Sequence, residues 1–197
     1  MATDAGPLPG YEPGQLPAGL PVPPDDGAAD HLASCPVPGL ALGSTGGGSV
    51  DLARLPGRSV VFGYPRTGVP GEAPLVADWD AIPGARGCTP QACDIRDHVG
   101  DLLAAGADHV FGLSTQTTAY QQEAVQRLHL PYRLLSDHDL AFTQALRLPT
   151  FEAAGQVLLR RLTLVLDDGV VAHAFYPVFP PDSHTAEVLA WLRSNPR

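Results

Sequence analysis

Residues 110–135 read VFGLSTQTTAYQQEAVQRLHLPYRLL, and this stretch decides the fold class. It begins and ends with a short apolar run, at 110–113 and 132–135, of the length and composition typical of buried strands. Between the two runs, residues 117–129 carry apolar side chains at the spacing of one helix face, namely Tyr120, Ala124, Val125 and Leu128. A strand, a helix and a strand in this order predict a crossover unit of an α/β protein.

The same alternation continues on both sides of this unit. A buried strand at 59–63 and an amphipathic helix from Cys88 to Ala105 precede it. After it, the pattern predicts a short helix at 139–146, strands at 158–166 and 170–176 joined by Asp167-Asp168-Gly169, and a closing helix at 185–193. Upstream, three glycines at 46–48 between apolar runs predict an N-terminal hairpin. This order predicts a thioredoxin-like sandwich, an α/β fold with a central mixed sheet flanked by helices.

Composition and charge narrow the domain organisation and the classes of partner. Residues 1–30 are dense in proline and glycine and carry no periodic pattern, so we predict an irregular extension there and one domain over 31–197. The formal net charge of −9 argues against nucleic acid and anionic membranes as partners, because both need clustered Lys and Arg. The N-terminus carries neither a basic region followed by an apolar one nor a long apolar run, which predicts a cytoplasmic location.

The segment Gly87-Cys88-Thr89-Pro90-Gln91-Ala92-Cys93 carries the most chemistry. Pro90 has no amide hydrogen and is tolerated only within the first turn of a helix, so Cys88 must lie at the N-terminal edge. Free backbone N–H groups and the positive end of the helix dipole favour a thiolate at that position. The sequence therefore predicts a reactive thiol at Cys88.

Cys93 lies five residues after Cys88 on the same predicted helix. In an ideal helix this spacing separates the two Cα atoms by about 8.6 Å, beyond the limit of roughly 7 Å for a disulfide. The pair can therefore form a disulfide only if the first turn unwinds, which a Pro-containing helix end preceded by Gly permits at modest cost. From the residues alone, two buried inert cysteines remain an alternative, and so does a zinc site with Cys88, Cys93 and His98.

Several segments together resemble peroxiredoxins of the bacterioferritin-comigratory-protein (Prx Q) type. They are Tyr64-Pro65, Gly87 to Asp97, Gly112-Leu113-Ser114-Thr115, Leu134 to Asp139, and Arg160 to Leu166. The resemblance spans about Leu40 to Trp191 and implies a thioredoxin fold. It also implies that Cys88 is the peroxidatic cysteine, that Cys93 is the resolving cysteine, and that Arg161 holds the thiolate and polarises the peroxide. Tyr64, Pro65, Gly87 and Thr89 would then line the substrate site.

The chain departs from the pattern of this family just before Cys88. The family has Pro, three residues, Thr, two residues and then the peroxidatic Cys, whereas Ala81 and Ala85 occupy the Pro and Thr positions here. A long loop runs from 66 to about 86, and residues 68–84 of it look inserted. The active-site hydroxyl would then come from Thr67, which we favour, or from Thr89.

Two further residues have more than one possible role. Cys35 is either a second resolving thiol or, as is commoner for a lone cysteine, a packed and inert one. Trp79, in the inserted loop, either packs that loop down or shapes a site for a substrate or partner.

The resemblance implies a thiol-dependent peroxidase that uses no metal, flavin or haem. Its partners would be a hydroperoxide substrate and thioredoxin or a similar dithiol reductant, and the chain would be a monomer or a weak homodimer. A redox-sensing or partner-binding protein with slow peroxidase activity is the main alternative. A thiol-disulfide oxidoreductase acting on proteins is disfavoured, because the pair is not Cys-x-x-Cys.

Overall fold

The computed structural model describes residues 14–197. The strands of this part, numbered along the chain, are β1 (Ala41–Ser44), β2 (Ser49–Asp51), β3 (Arg58–Gly63), β4 (His109–Ser114), β5 (Arg133–Ser136), β6 (Thr150–Ala153), β7 (Gln156–Leu159), β8 (Leu162–Asp167) and β9 (Val170–Phe175). The α-helices are α1 (Cys88–Ala104), α2 (Thr118–Leu128), α3 (Ala141–Leu146) and α4 (His184–Ser194). Short 3-10 turns lie at Asp30–Leu32, Leu52–Arg54 and Trp79–Ala81.

Seven of the strands form one mixed sheet in the order β2-β1-β5-β4-β3-β8-β9. The pairs β3–β4 and β4–β5 are parallel, and the other pairs of this sheet are antiparallel. The predicted crossover unit is therefore present as β4-α2-β5, and the predicted N-terminal hairpin as β1-β2. These elements make the α/β sandwich that the sequence predicted.

The two faces of the sheet carry separate apolar cores, because side chains alternate along each strand. On β3, Val60 and Phe62 face a core that includes residues of α1, α2 and α4, whereas Val61 faces a second core with residues of α3. Cys88 and Ala92 belong to the first core, which fixes the beginning of α1 against the sheet.

The predicted single strand at 158–166 is wrong, because the chain changes pairing partner in its middle. Before the break, β7 pairs with β6 in a separate two-stranded sheet, and the Arg160 amide still donates to the Pro149 carbonyl at 2.8 Å. After the break, β8 pairs with β3 and β9 in the main sheet. Arg160 and Arg161 lie between the two strands and belong to neither.

The described part of the predicted extension, residues 14–30, lies against the domain and forms no α-helix or strand; its last residue, Asp30, begins the first 3-10 turn. The Tyr176 hydroxyl donates to an Asp26 carboxylate oxygen at 2.9 Å, and the Gln15 carbonyl accepts from the Arg86 guanidinium at 3.2 Å. Residues 1–13 of that extension lie outside the described residues, and the boundary between 30 and 31 stays a prediction. Within residues 14–197, no helix has the length and apolar character needed to cross a membrane.

Candidate active site

The thiol of Cys88 lies at the beginning of α1, almost fully shielded from solvent at 5% exposure. Gly87 precedes it with φ +104, a left-handed conformation that turns the loop into the helix and that only glycine adopts easily. The backbone amide of Arg66 donates to the sulfur at 3.4 Å, and the sulfur lies 3.6 Å from the Ala85 carbonyl oxygen. The helix terminus and the Arg66 amide both stabilise negative charge on this sulfur.

Arg161 supplies the cation at this thiol. Its Nη2 atom donates to the Cys88 sulfur at 3.4 Å and also to the carbonyl oxygens of Gly84 at 3.2 Å and Arg86 at 3.1 Å. The side chain is 2% exposed, and a guanidinium stays charged when buried. Arg160, in contrast, donates from Nε to the Thr150 carbonyl at 3.1 Å on the other side of the chain. The break between β7 and β8 thus directs Arg161 alone toward Cys88.

Gln91 is a site residue that the sequence reasoning did not single out. Its Oε1 atom accepts from Nη1 of Arg161, one helical turn after Cys88. The side-chain nitrogen Nε2 of Gln91 and the Nε atom of Arg161 are both buried without a partner among residues 14–197. Two unpaired donors beside the Cys88 sulfur suit a ligand that brings oxygen acceptors. The i, i+3 spacing of Cys88 and Gln91 on a predicted helix was the available signal.

Thr67 and Thr89, the two candidates for the hydroxyl, occupy different surroundings. Thr67 lines the same narrow cavity as Cys88, and its hydroxyl donates to the Gln116 side-chain oxygen at 3.2 Å. A second bond, from the Thr67 amide to the same Gln116 oxygen at 3.0 Å, fixes this segment. The Thr89 hydroxyl is buried and has no partner among the described residues. The geometry brings Thr67 to the Cys88 cavity, and its chemical role stays a prediction.

Tyr64 and Pro65 connect the end of β3 to Arg66 and so set the position of its backbone amide beside Cys88. The Tyr64 amide donates to the Leu113 carbonyl at 3.0 Å, which extends the β3–β4 pairing past the end of β3. The Tyr64 ring lines the cavity of Cys88, and burial raises the pKa of its phenol, which therefore stays neutral. Pro65 is buried between Tyr64 and Arg66 in the chain.

Comparison with known proteins agrees with this fold. The sequence model of the Redoxin family matches residues 23–189. The chain belongs to the Redoxin family. Peroxiredoxin Q, chloroplastic, from Oryza sativa subsp. japonica is 33% identical over 159 residues, which cover 80% of this chain and 64% of the rice protein. The chain therefore spans less than two thirds of the length of that relative.

Two further relatives match most of their own length. Peroxiredoxin Bcp from Escherichia coli (strain K12) is 28% identical over 163 residues, which cover 80% of this chain and 93% of that protein. The crystal structure of peroxidoxin BcpB from Mycobacterium tuberculosis superposes with a TM-score of 0.67 at 24% identity, covering 84% of this chain and 99% of that one. The structural match establishes the thioredoxin-like fold of this Redoxin chain.

Cys93 of this Redoxin chain lies on α1 with Cys88, and both thiols are free. The Cys93 side chain is half-buried and packs against the core on the α1 face of the sheet. Two hydrogen bonds hold the turn between the cysteines: the Gln91 amide donates to the Gly87 carbonyl at 3.0 Å, and the Tyr132 hydroxyl donates to the Ala92 carbonyl at 3.0 Å. An intact helix keeps the Cα atoms about 8.6 Å apart, so a disulfide requires this turn to open.

The other predicted ligands and thiols lie in unrelated environments. Nδ1 of His98 donates to the Asp94 carbonyl oxygen at 2.8 Å, and that contact raises the pKa of His98. No group of three His, Cys, Asp or Glu side chains within residues 14–197 is arranged to hold a metal ion. The Cys35 thiol donates to the His31 carbonyl at 3.0 Å, near the beginning of the described chain.

Trp79 packs the inserted loop of this Redoxin chain. It is 4% exposed, forms a small apolar cluster with Ala85, Ala153 and Leu158, and lies 6.1 Å from the Phe151 ring. Ala85, at the position where the peroxiredoxin pattern has Thr, is fully buried in the same cluster. The loop therefore has its own core, which includes β6 and β7 and sets the position of the residues just before Cys88.

Proposed function

We propose that this chain is a thiol-dependent peroxidase that reduces hydrogen peroxide or organic hydroperoxides, with Cys88 as the attacking thiol and Cys93 as the resolving thiol. The observation that carries the proposal is the buried Cys88 sulfur, which accepts from both the Arg161 guanidinium and the Arg66 amide at 3.4 Å. A protein of similar fold, the bacterioferritin comigratory protein of Xanthomonas campestris, has an alkyl peroxide reduction activity.

In the first step the Cys88 thiolate attacks the terminal oxygen of the hydroperoxide. An S–O bond forms, the O–O bond breaks, and the leaving alkoxide or hydroxide takes up the proton that the thiol released. The products are an alcohol or water and a sulfenic acid on Cys88. Arg161 and the Arg66 amide are fixed donors beside the reacting atoms, and such donors stabilise the charge that develops on the oxygens.

In the second step the Cys93 thiol attacks the sulfur of the sulfenic acid. An S–S bond forms, and the hydroxyl leaves as water with the proton of the Cys93 thiol. The first turn of α1 must unwind for this step, which breaks the contact between Arg161 and Gln91 and the bond from the Gln91 amide to Gly87. A dithiol reductant then returns the disulfide to two thiols by exchange.

A redox sensor with slow peroxidase activity is the second candidate. Two observations favour it: Ala85 replaces the Thr of the peroxiredoxin pattern, and Cys88 is 5% exposed. A sensor and an enzyme use the same first step, so the rate constant for oxidation by peroxide separates them.

Steady-state peroxide consumption with dithiothreitol as the reductant tests the proposal. We expect turnover by the full chain and complete loss in Cys88→Ser. With peroxide but without dithiothreitol, Cys93→Ser should undergo one oxidation and keep a sulfenic acid that dimedone traps. Cys35→Ser is the matched control and should keep turnover, because the Cys35 thiol donates to the His31 carbonyl and does not line the Cys88 cavity. Equal loss in Cys88→Ser and Cys35→Ser would contradict the assignment.

The reductant, the oligomeric state and the location are also proposals. Thioredoxin or a similar dithiol protein would reduce the Cys88–Cys93 disulfide, because the exposed part of the half-buried Cys93 offers a point of attack. We propose a monomer or weak homodimer in the cytoplasm. Sedimentation of the reduced protein over a range of concentrations tests the oligomeric state, and fractionation of the native cells tests the cytoplasmic location.

A further inference from the structure

The inserted loop and α2 enclose a pocket of about 160 Å³ next to the site of Cys88. We name it the insertion pocket, and its defining residues are Arg66, Val69, Glu72, Leu75, Trp79 and Tyr120. Most of these belong to the loop, so the pocket exists because of the loop. Drug-sized ligands occupy pockets of roughly 300 to 1,000 Å³, so this one suits a compact group such as a single ring or a short chain.

The insertion pocket and the Cys88 cavity share one wall. The Arg66 side chain lines the pocket while its backbone amide donates to the Cys88 sulfur, and the next residue, Thr67, lines the Cys88 cavity. Two contacts from α2 hold this wall: the Tyr120 hydroxyl donates to the Thr67 carbonyl at 3.1 Å, and the Arg127 guanidinium donates to the Gly68 carbonyl at 2.9 Å. The pocket is therefore fixed relative to the reactive sulfur.

The charge in the pocket is the second observation. The Arg66 guanidinium carbon lies 4.4 Å from the centre of the Tyr120 ring, and no carboxylate of residues 14–197 lies within ion-pair distance of it. Glu72 lines the same pocket but does not form an ion pair with Arg66. A guanidinium has five N–H donors, so those of Arg66 that do not meet the Tyr120 hydroxyl can bind a planar anion such as a carboxylate.

From this geometry we infer that the insertion pocket binds the organic part of the substrate, a compact hydroperoxide that carries a carboxylate. The apolar walls formed by Val69, Leu75 and Trp79 cover the body of such a molecule, and Arg66 binds its carboxylate. Because the contacts from α2 hold the Arg66–Thr67 backbone, the peroxide group must reach Cys88 around the edge of this segment. This inference rests on the proposed peroxidase function and adds a specificity determinant, because Arg66 selects among hydroperoxides through its side chain.

The test compares cumene hydroperoxide with its para-carboxylate analogue in stopped-flow oxidation of the full reduced chain, with hydrogen peroxide as a third substrate. The measured quantity is the ratio of the rate constants for the carboxylate and the neutral compound. We expect a ratio of about ten in the natural protein, because one charge-assisted hydrogen bond contributes on this scale. Arg66→Met should bring the ratio to about one or below, and Glu72→Gln should raise it because a like charge is removed.

Arg54→Met is the matched control, since Arg54 is an exposed arginine whose ion pair within residues 14–197 is with Asp51, outside the pocket. It should keep the ratio of the natural protein. A binding measurement without chemistry adds a second readout: the unreactive alcohol product of the carboxylate compound should quench tryptophan fluorescence in the natural protein and in Arg54→Met, but not in Arg66→Met.

Two results would overturn the inference. A ratio near one in the natural protein, with fast oxidation by all three substrates, would refute the carboxylate pocket and leave the peroxidase proposal standing. A ratio that Arg66→Met does not change would also refute the role of Arg66. If none of the three substrates oxidises the protein, the peroxidase proposal itself fails, and the inference fails with it.

Discussion

The Nη2 atom of Arg161 lies 3.4 Å from the sulfur of Cys88, although 73 positions separate the two residues in the chain. The contact depends on two sheets, because β7 pairs outside the main sheet and β8 pairs within it. Arg161 lies at the junction, where the chain leaves one sheet and enters the other. A buried cation is thereby fixed beside a buried thiol.

Replacing Arg161 by Lys should slow peroxide oxidation by about a hundredfold or more. Lysine keeps the charge but lacks the planar group that reaches the sulfur, Gln91 and two carbonyls at once. Stopped-flow tryptophan fluorescence with hydrogen peroxide gives the rate constant. Arg160→Lys is the control, because Arg160 bonds to the Thr150 carbonyl instead, and it should stay within about twofold. Similar losses of rate in both variants would show that the oxidation rate depends on the local loop rather than on the contact between Arg161 and the Cys88 sulfur.

Thr67→Val and Thr89→Val distinguish the two candidates for the active-site hydroxyl. Thr67 shares the cavity of Cys88, so we expect Thr67→Val to lower the rate constant for oxidation about tenfold to a hundredfold. Thr67→Ser should retain most of the rate, since it keeps the hydroxyl. The Thr89 hydroxyl has no partner in the described chain, so Thr89→Val should change the rate less than about twofold. The reverse order of effects would assign the hydroxyl to Thr89.

Gly87→Ala should destabilise the protein more than Gly106→Ala. Both glycines have φ +104, a conformation that costs alanine about 1 kcal/mol. At Gly106 a Cβ would meet open space, whereas at Gly87 it would clash with a ring carbon of Pro181 and lie 2.8 Å from a carbon of Leu16. We therefore expect an additional loss of about 1 to 3 kcal/mol for Gly87→Ala in urea unfolding. Equal losses of unfolding free energy in the two variants would mean that Leu16 and Pro181 move away from the added Cβ at no energetic cost.

The free energy of unfolding should fall as the pH drops from 7 to 5, in part because of His184. Burial lowers the pKa of this histidine, which contacts Thr163 at 2.9 Å and is 5% exposed. Glu187 and Asp94 oppose this lowering of the pKa, and Arg161 adds to it. Below the ordinary histidine pKa of about 6.5 the unfolded chain takes up a proton that the folded chain resists, so acid favours unfolding.

Urea titrations at several pH values check this prediction in the natural protein and in His184→Gln. The difference in free energy of unfolding between the two should shrink as the pH falls, because the variant has lost the unfavourable protonation. The comparison at each pH also cancels His98, whose pKa is raised and whose contribution has the opposite sign. A difference that does not vary with pH would exclude His184 as a source of acid lability.

The sequence predicted those parts of the fold that local patterns encode. Periodicity located β3, β4, β5 and α2, and the proline at position 90 placed Cys88 at the first turn of α1. The periodicity argument failed at residues 158–166, where a run of apolar and alternating positions has the pattern of one strand. The break there is set by pairing with β6 on one side and β3 on the other, and such non-local partners leave no local signal.

The site was predictable to the extent that it depends on chain neighbours. Gly87 and Cys88 were singled out from the segment at 87–93, and Arg161, which is distant in the chain, only from the resemblance to peroxiredoxins. The structure brings all three together at one sulfur. Gln91 was missed because a glutamine on a helix is usually a solvated residue. Its i, i+3 spacing from Cys88 indicated a shared helix face, but its partner Arg161 is distant in the chain. The insertion pocket could not be predicted from composition, because it depends on how the loop packs against Tyr120 and Trp79.

Identification of the oxidised sulfurs after a single turnover tests the central claim most directly. The reduced full chain would receive one equivalent of hydrogen peroxide, be alkylated, and be mapped by mass spectrometry of its peptides. We predict the loss of two thiols per peroxide, a disulfide that joins Cys88 to Cys93, and an alkylated Cys35. An unmodified Cys88, or a disulfide that joins Cys35 to either of the other two, would contradict the account.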